Sequence, residues 1–401
     1  MGAVFPALTG SYPTDTDLFL PCHSSHGKVN HGLQEGIMNF VSLADNVFLA
    51  ELPAELTDPN EKPILDATVP KKSGKKGSLL LDFSAVKFMN GLGACQLAKL
   101  NAVARHRRQH LLAFGVNRQY REVLEVTGLE KAIVICSSKA GAFTTAGVTP
   151  DKPPLAEIEL NLSFDTTFWA KPVDRLSVPE LPPPAINRNV AGRRAVGPVD
   201  GFGQLWQKTY RLEIDKPDLS PQKIIKILKQ NLPAFQPAYN RFYPSPSGIA
   251  PGEIVTIDSS TPGGPVSTGV LVLYADDVSF TFMTPQGHPE SGWVTFSAFE
   301  ADGKITVQIL GLARAGDFVY EAAFRAVGAQ MQVKIWKHVL TSLAKYLEVP
   351  AVVTVAPVCV DRHLQWPQAG NVWYNAQIRT IFYMPFRQMK KSEKNSQGEG
   401  K

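Results

Sequence analysis

Between Leu79 and Gly93 an unbroken apolar run, Leu79-Leu80-Leu81, passes through Asp82-Phe83-Ser84-Ala85-Val86-Lys87-Phe88-Met89 into Asn90-Gly91-Leu92-Gly93, and a helical pattern starts at once. Strand, glycine-bearing turn and helix follow one another without a spare residue, which commits this part of the chain to an α/β arrangement. Leu97, Leu100 and Ala104 recur at spacings of three and four, predicting a helix over Ala94 to Arg108. His110 to Val116 reads as a second short strand. Asn117 to Gly128 reads as a helix capped by asparagine and stopped by glycine, and Ala132 to Cys136 as a last strand.

The pattern Asp82-x-Ser84-x-Val86-x-Phe88 after a hydrophobic strand resembles the STAS family, the anti-sigma-factor-antagonist domains. In that family Asp-Ser-Ser-Gly or Asp-Ser-Thr-Gly then opens the helix. The resemblance spans residues 45–137, with Asn46 to Pro59 as the opening strand and turn. It implies a protein partner and a phosphate-accepting serine just before the glycine. A phosphate there would add about 1.5 to 2 negative charges beside the unpaired amides of a helix N-terminus. Aligned without a gap, Asn90 falls on the aspartate, Gly91 on the first serine, Leu92 on the acceptor and Gly93 on the glycine. A deletion of one or two residues brings no hydroxyl to the position either. The switch is therefore absent, and Asn90, Gly91, Leu92 and Gly93 are expected to serve only as a partner-docking turn.

At 401 residues the chain has room for two or three domains. Its net charge of +5 comes from scattered clusters such as Lys71-Lys72, Arg107-Arg108 and Lys390-Lys391. Without interleaved aromatics these read as solvated charges, and nucleic acid is not an expected partner. Cys22, Cys95, Cys136 and Cys359 are widely spaced, which suits a reducing compartment. No window approaches the ~20 apolar residues of a membrane span, so a cytoplasmic protein is expected. Cys22, His23, His26 and His31 crowd four possible zinc ligands together. The adjacency of Cys22 and His23 does not fit the usual ligand spacings. No metal and no cofactor are expected.

Residues 1–44 read as a partly ordered arm with a weak helix over Leu33 to Val41. Residues 138–204 are rich in proline and glycine and read as a linker. One alternating strand is expected there, Ala156 to Phe164, and Phe168-Trp169 should anchor the linker on a domain surface. Residues 387–401 read as a disordered polar tail.

From 205 to 386 the pattern changes. A strand over Gln207 to Ile214 leads to Ser220-Pro221, a helix start, and Lys223 to Lys229. After a proline-rich loop come strands at Glu253–Asp258, Gly269–Tyr274, Val278–Met283, Gly292–Glu300 and Lys304–Leu312. Asp276-Asp277 and Ala301-Asp302-Gly303 are tight-turn signals, so these strands form an antiparallel meander. A long helical stretch follows from Asp317 to Leu347, broken near Gly328, with Val333, Trp336, Leu340, Leu343 and Leu347 on one side.

This order resembles the START-like (SRPBCC) superfamily with its helix-grip fold, a curved antiparallel sheet around a long C-terminal helix. Two further strands, Ala351–Val360 and Asn375–Met384, are expected where many members stop. The resemblance implies a space between sheet and helix for a lipid or aromatic ligand. Candidate lining residues are Phe242, Phe280, Phe282, Trp293, Phe296, Ile309, Phe318 and Trp336. The same aromatics at such spacings also serve as plain core.

His288 and Glu290 are the candidate acid–base pair. Cys359, Asp361 and His363 alternate on one strand edge, but nothing near them supplies a triad. Pro262-Gly263-Gly264-Pro265 lacks the lysine and hydroxyl of a phosphate loop. The preferred reading is a bacterial regulatory protein with a docking STAS-like domain and a START-like ligand-binding domain; the other is a cyclase- or hydrolase-type enzyme in the second domain. Because Lys87 to Gln96 contains no Ser, Thr or Tyr, serine kinases of the anti-sigma type should leave this turn unmodified. Phosphopeptide mapping after incubation with such kinases tests this, and one phosphate in the segment would refute it.

Overall fold

The computed structural model describes residues 39–57, 77–148, 167–178 and 189–383, and every structural statement concerns these. The cluster Cys22, His23, His26 and His31, the expected strand Ala156–Phe164 and the tail 387–401 lie outside them. No helix among the described residues is long and apolar enough to cross a membrane.

Strands with no polar alternation need cover on both faces, and the first layer provides it. Strands β1 (Asn39–Ala44) and β2 (Val47–Glu51) form a hairpin. With β4 (Gly77–Asp82), β6 (Gln109–Phe114) and β7 (Ile133–Ile135) they make a sheet in the order β1-β2-β4-β6-β7, in which β2, β4, β6 and β7 run parallel. The short strands β3 (Glu55–Leu56) and β5 (Phe88–Met89) pair beside it. Leu79, Leu81, Leu111 and Ala113 face helices α1 (Gly91–His106) and α2 (Arg118–Thr127). Leu80, Leu112 and Phe114 face α3 (Lys139–Thr145). Each helix has the asparagine or serine cap that frees it from orphan amides: Asn90 Oδ1 accepts from Leu92 N at 2.9 Å, Asn117 Oδ1 from Tyr120 N at 2.8 Å and Ser138 Oγ from Gly141 N at 3.0 Å. This is the STAS-like α/β arrangement.

The second layer is a curved antiparallel sheet wrapped around a long helix, the helix-grip arrangement. The strands are β8 (Ala195–Val196), β9 (Leu205–Ile214), β10 (Asn240–Pro244), β11 (Ile254–Thr261), β12 (Gly264–Ala275), β13 (Ser279–Pro285), β14 (Glu290–Ala301), β15 (Lys304–Ala315) and β16 (Val353–Asp361). Their order is β10-β11-β12-β13-β14-β15-β9-β16, with β8 added on β13. Helix α4 (Pro221–Asn231) starts at Ser220, whose Oγ accepts from Lys223 N at 3.2 Å. Helix α5 (Phe318–Ala323), a π-helical turn over Phe324–Gly328 and helix α6 (Ala329–Leu347) form the gripped stretch. Trp336, Leu340, Leu343 and Leu347 of α6 pack on the inner face of the sheet with Tyr210, Phe280, Phe296 and Ile309.

Four expectations change. Asn39–Ala44 is a strand, so no helix runs on to Val41; the hairpin partner β2 decides this. The proline-rich loop holds β10, whose Asn240 to Pro244 pair with Val255 to Ser259. Residues 376–383 are helical, not a strand. Ile378, Ile381 and Phe382 carry β-forming side chains at helical spacing, and Asn375 Oδ1 caps the turn by accepting from Ile378 N at 3.0 Å. The described parts of the proline-rich segment lie folded on the sheet, burying Trp169, Leu176, Val190, Val196 and Phe202. Trp169 does act as an anchor: its Nε1 donates to Met89 O at 3.1 Å and its ring packs edge-on against Tyr274.

The two layers share one core. Thirteen of the 16 residues of α1 are buried, because one side of the helix meets its own sheet and another the outer face of the helix-grip sheet. Leu271, Leu273, Met283, Trp293, Leu310 and Leu312 belong to the same apolar cluster as Leu92, Leu97 and Leu100. The turn Asn90–Gly93, expected to dock an outside partner, is buried within the chain. A Cβ on Gly91 would lie 1.9 Å from Thr281 Oγ1 and 3.3 Å from Thr295 Oγ1, two hydroxyls bonded to each other at 2.9 Å. Gly91→Val should therefore overpack this seam and cost about 1 to 3 kcal/mol. Thermal unfolding followed by circular dichroism and tryptophan fluorescence should show one transition, lowered as a whole. An unchanged midpoint, or two separate transitions, would contradict the shared core.

Candidate functional site

A glycine in the middle of a buried strand has no side chain to pack, and in β15 this leaves room. Strand alternation turns Ile309, Gly311 and Ala313 toward α6, and a Cβ built on Gly311 would meet no heavy atom within 4 Å. Between this strip and the helix lies a cavity of about 220 Å³. Phe242, Phe282, Phe324, Ile335 and Trp336 give it an apolar wall. The π-helical turn supplies Phe324, a break of the kind found where helices serve sites.

Of the eight predicted lining residues, Phe242, Phe282, Trp293 and Trp336 border the cavity. Trp293 does so from its strand position, while its indole packs on the outer face. There ring atom Cζ2 comes within 3.2 Å of where a Cβ on Gly197 would stand. Phe280, Phe296 and Ile309 fill the core beyond the cavity's end: Phe280 stacks on Phe296 at 4.5 Å, and Phe296 meets Trp336 edge-on at 5.5 Å. Phe318 is 45% exposed and rests on Phe202, away from the cavity. A stacked aromatic pair is the denser way to close a core, and periodicity cannot tell it from a cavity wall.

One end of the cavity is polar. Gln332, one turn before Trp336 on α6, donates through Nε2 to Glu290 Oε1 and Oε2, both at 2.8 Å. Its Oε1 accepts from Lys208 Nζ on β9, which fixes the orientation of the amide because an ammonium only donates. Burial pushes the Glu290 carboxyl above its usual range, against the pull of Lys208 and Gln332. Burial likewise lowers Lys208, against the pull of Glu290. His288 stands beside them on the same wall. Its Nδ1 lies 3.0 Å from both the backbone N and the backbone O of Glu290, accepting from the N–H in the tautomer protonated at Nε2, and burial pushes the ring down to about 4. The two acid–base candidates thus share the cavity, but no side-chain bond joins them.

The helix over 376–383 closes the far side. Gln377 borders the cavity and donates through Nε2 to Thr261 Oγ1 at 2.9 Å and Gly264 O at 3.2 Å. Its backbone N donates to Tyr320 Oη at 2.9 Å, and Ala376 N to Gly287 O at 2.8 Å. The Pro262–Pro265 segment is the β11–β12 hairpin that receives this strap.

Cys359, Asp361 and His363 form no nucleophile site. Asp361 binds Arg314 Nη2 at 2.5 Å and His363 Nδ1 at 2.8 Å; burial would raise its carboxyl, but these bonds hold it below the usual range. Burial pushes the Cys359 thiol up, away from thiolate. Gly311, Lys208 and Gln332 were not singled out from the sequence. Only Gly311, interrupting the strand Ile309-Leu310-Gly311-Leu312, carried a local signal.

His288 gives a pH test. Its folded value near 4 lies below the ordinary 6.5, so the unfolded chain takes up the proton first and stability falls as pH drops from about 6.5 toward 4. His288→Asn keeps an acceptor for the Glu290 amide without the proton site. It should flatten the melting temperature over that window, and an unchanged slope would refute the assignment.

No family model matches the chain, and no curated protein matches it in sequence. Among solved structures it is similar to the protein Ms6760 of Mycobacterium smegmatis, at 16% identity over 35% of this chain and 90% of that one, with a TM-score of 0.27. It is also similar to the di-domain ARO/CYC StfQ of the steffimycin biosynthetic pathway, at 11% identity over 38% and 54%, TM-score 0.28. A third is the ginseng major latex-like protein 151 of Panax ginseng, at 12% identity over 37% and 100%, TM-score 0.25. Likenesses this partial decide nothing about activity, and the fold rests on the strand order of the chain itself.

Proposed function

We propose that the protein binds a small apolar molecule in the cavity between the helix-grip sheet and α6, as a carrier or sensor and not as a catalyst. The observation that carries this is Gly311: a Cβ there would meet no heavy atom within 4 Å, so a chain with no use for the space could begin to fill it with a side chain. A glycine in a strand interior otherwise weakens the strand. Helix α1 lies against the outer face of the strands whose inner face lines the cavity. The STAS-like layer is read as the part that passes occupancy to a protein partner, through surfaces other than the buried turn Asn90–Gly93. Cys136 and Cys359 stand in no disulfide among the described residues, which suits the cytoplasmic setting of this reading.

An enzyme is the second reading, favoured by the presence of both His288 and Glu290 on the cavity wall. Turnover of a bound compound that disappears in His288→Asn would give it precedence.

Gly311→Leu tests the binding reading. It should raise the melting temperature of the free protein by filling the cavity. It should also abolish the stabilisation given to the parent by a panel of apolar compounds, which amounts to ~2.7 kcal/mol at a hundredfold excess over the dissociation constant. If no compound shifts the parent, or the variant still responds, the cavity is not the site.

A further inference from the structure

From the polar end of the cavity we infer that its occupant is a neutral one- or two-ring molecule bearing a hydroxyl group that donates to Glu290, and not a carboxylate such as a fatty acid. The inference rests on the binding reading above and refines it.

Size sets the first limit. A dry apolar cavity of about 150 Å³ holds one benzene, so about 220 Å³ suits one or two fused rings. Charge sets the second. The Glu290 carboxylate takes one bond from Gln332 on each oxygen, and each oxygen has a further lone pair for a donor. Gln332 is used up, its Nε2 on Glu290 and its Oε1 on Lys208. A ligand carboxylate would bring a second anion beside Glu290, where Gln332 has no donor left to offer it, and like charges in a water-poor site repel. A ligand ammonium would add a cation to a wall where Lys208 already balances Glu290 through Gln332. A hydroxyl supplies the donor and no charge. Trp336 Nε1 and Thr268 Oγ1, polar atoms of lining residues, have no hydrogen-bond partner among the described residues, so oxygen on the occupant also has groups to meet there.

The test uses four probes of one shape on the full chain: 2-naphthol, naphthalene, 2-naphthoate and 2-naphthylmethylammonium, with dissociation constants from calorimetry. A hydrogen bond to a charged group stabilises by about 1.5 to 3 kcal/mol, so 2-naphthol should bind roughly tenfold or more tighter than naphthalene. Naphthoate should bind weakest, and the ammonium compound more weakly than the naphthol. In Glu290→Gln, checked for folding by its melting transition, the advantage of naphthol over naphthalene should shrink and naphthoate should gain. Naphthalene binding as tightly as naphthol, or naphthoate binding best, would overturn this inference and leave the binding reading standing. Binding of none of the four would overturn both.

Discussion

The structure depends on a sheet whose centre has no wet face. An antiparallel sheet commonly gives one side to water and alternates accordingly, but β13 is buried at every residue and β12 over most of its length. The inner side meets α6 and the outer side meets α1. Helix α1 is thereby covered nearly all round: Leu92, Ala94, Cys95, Leu97, Ala98, Leu100 and Ala102 are buried, and so are the polar Gln96, Lys99 and Asn101. The closeness of this contact is set by small groups. Gly91 faces a pair of threonine hydroxyls that satisfy each other, so neither of these two is left stranded by the close approach.

A second constraint holds the ends of the sheet in place. Arg314 of β15 is buried, and a buried cation is costly unless its donors are all met. Its Nε donates to Pro198 O at 3.1 Å, Nη1 to Gly203 O at 2.8 Å and His363 O at 3.1 Å, and Nη2 to Asp361. One side chain thus joins the segment before β9, the strand β15 and the segment after β16. Of the alternating residues Cys359, Asp361 and His363, the last two belong to this clamp.

The cavity and the seam are two sides of the same strands. On β14, Glu290 and Val294 face the cavity while Trp293 and Thr295 face the α/β layer. Because side chains alternate with a period of two, any shift of β14 caused by an occupant moves both faces together. The cavity wall and the surface met by α1 are thus coupled through one strand.

Much of the architecture was legible in the sequence because it rests on local rules. The period of three and four in α1, the asparagine cap and glycine stop of α2, the Ser220-Pro221 start of α4 and the tight turns of the meander are each set by neighbours within a few residues. The same rules singled out His288, Glu290, Phe282 and Trp336, which border the cavity. They could not show that Phe280, Phe296 and Ile309 close a core while Gly311 opens a cavity, because a strand face looks the same in either case until the opposite helix is in place. Nor could they show that residues 376–383 coil into a strap, since Ile378, Ile381 and Phe382 suit both structures and only the cap from Asn375 and the bonds of Gln377 decide. The sequence by itself determined the two kinds of layer and the absence of any hydroxyl side chain from Lys87 to Gln96. Tertiary structure alone decided that the turn carrying Leu92 is buried, that Gln332 joins Lys208 to Glu290, and that the two layers share one core, because each depends on residues brought together from more than 40 positions apart.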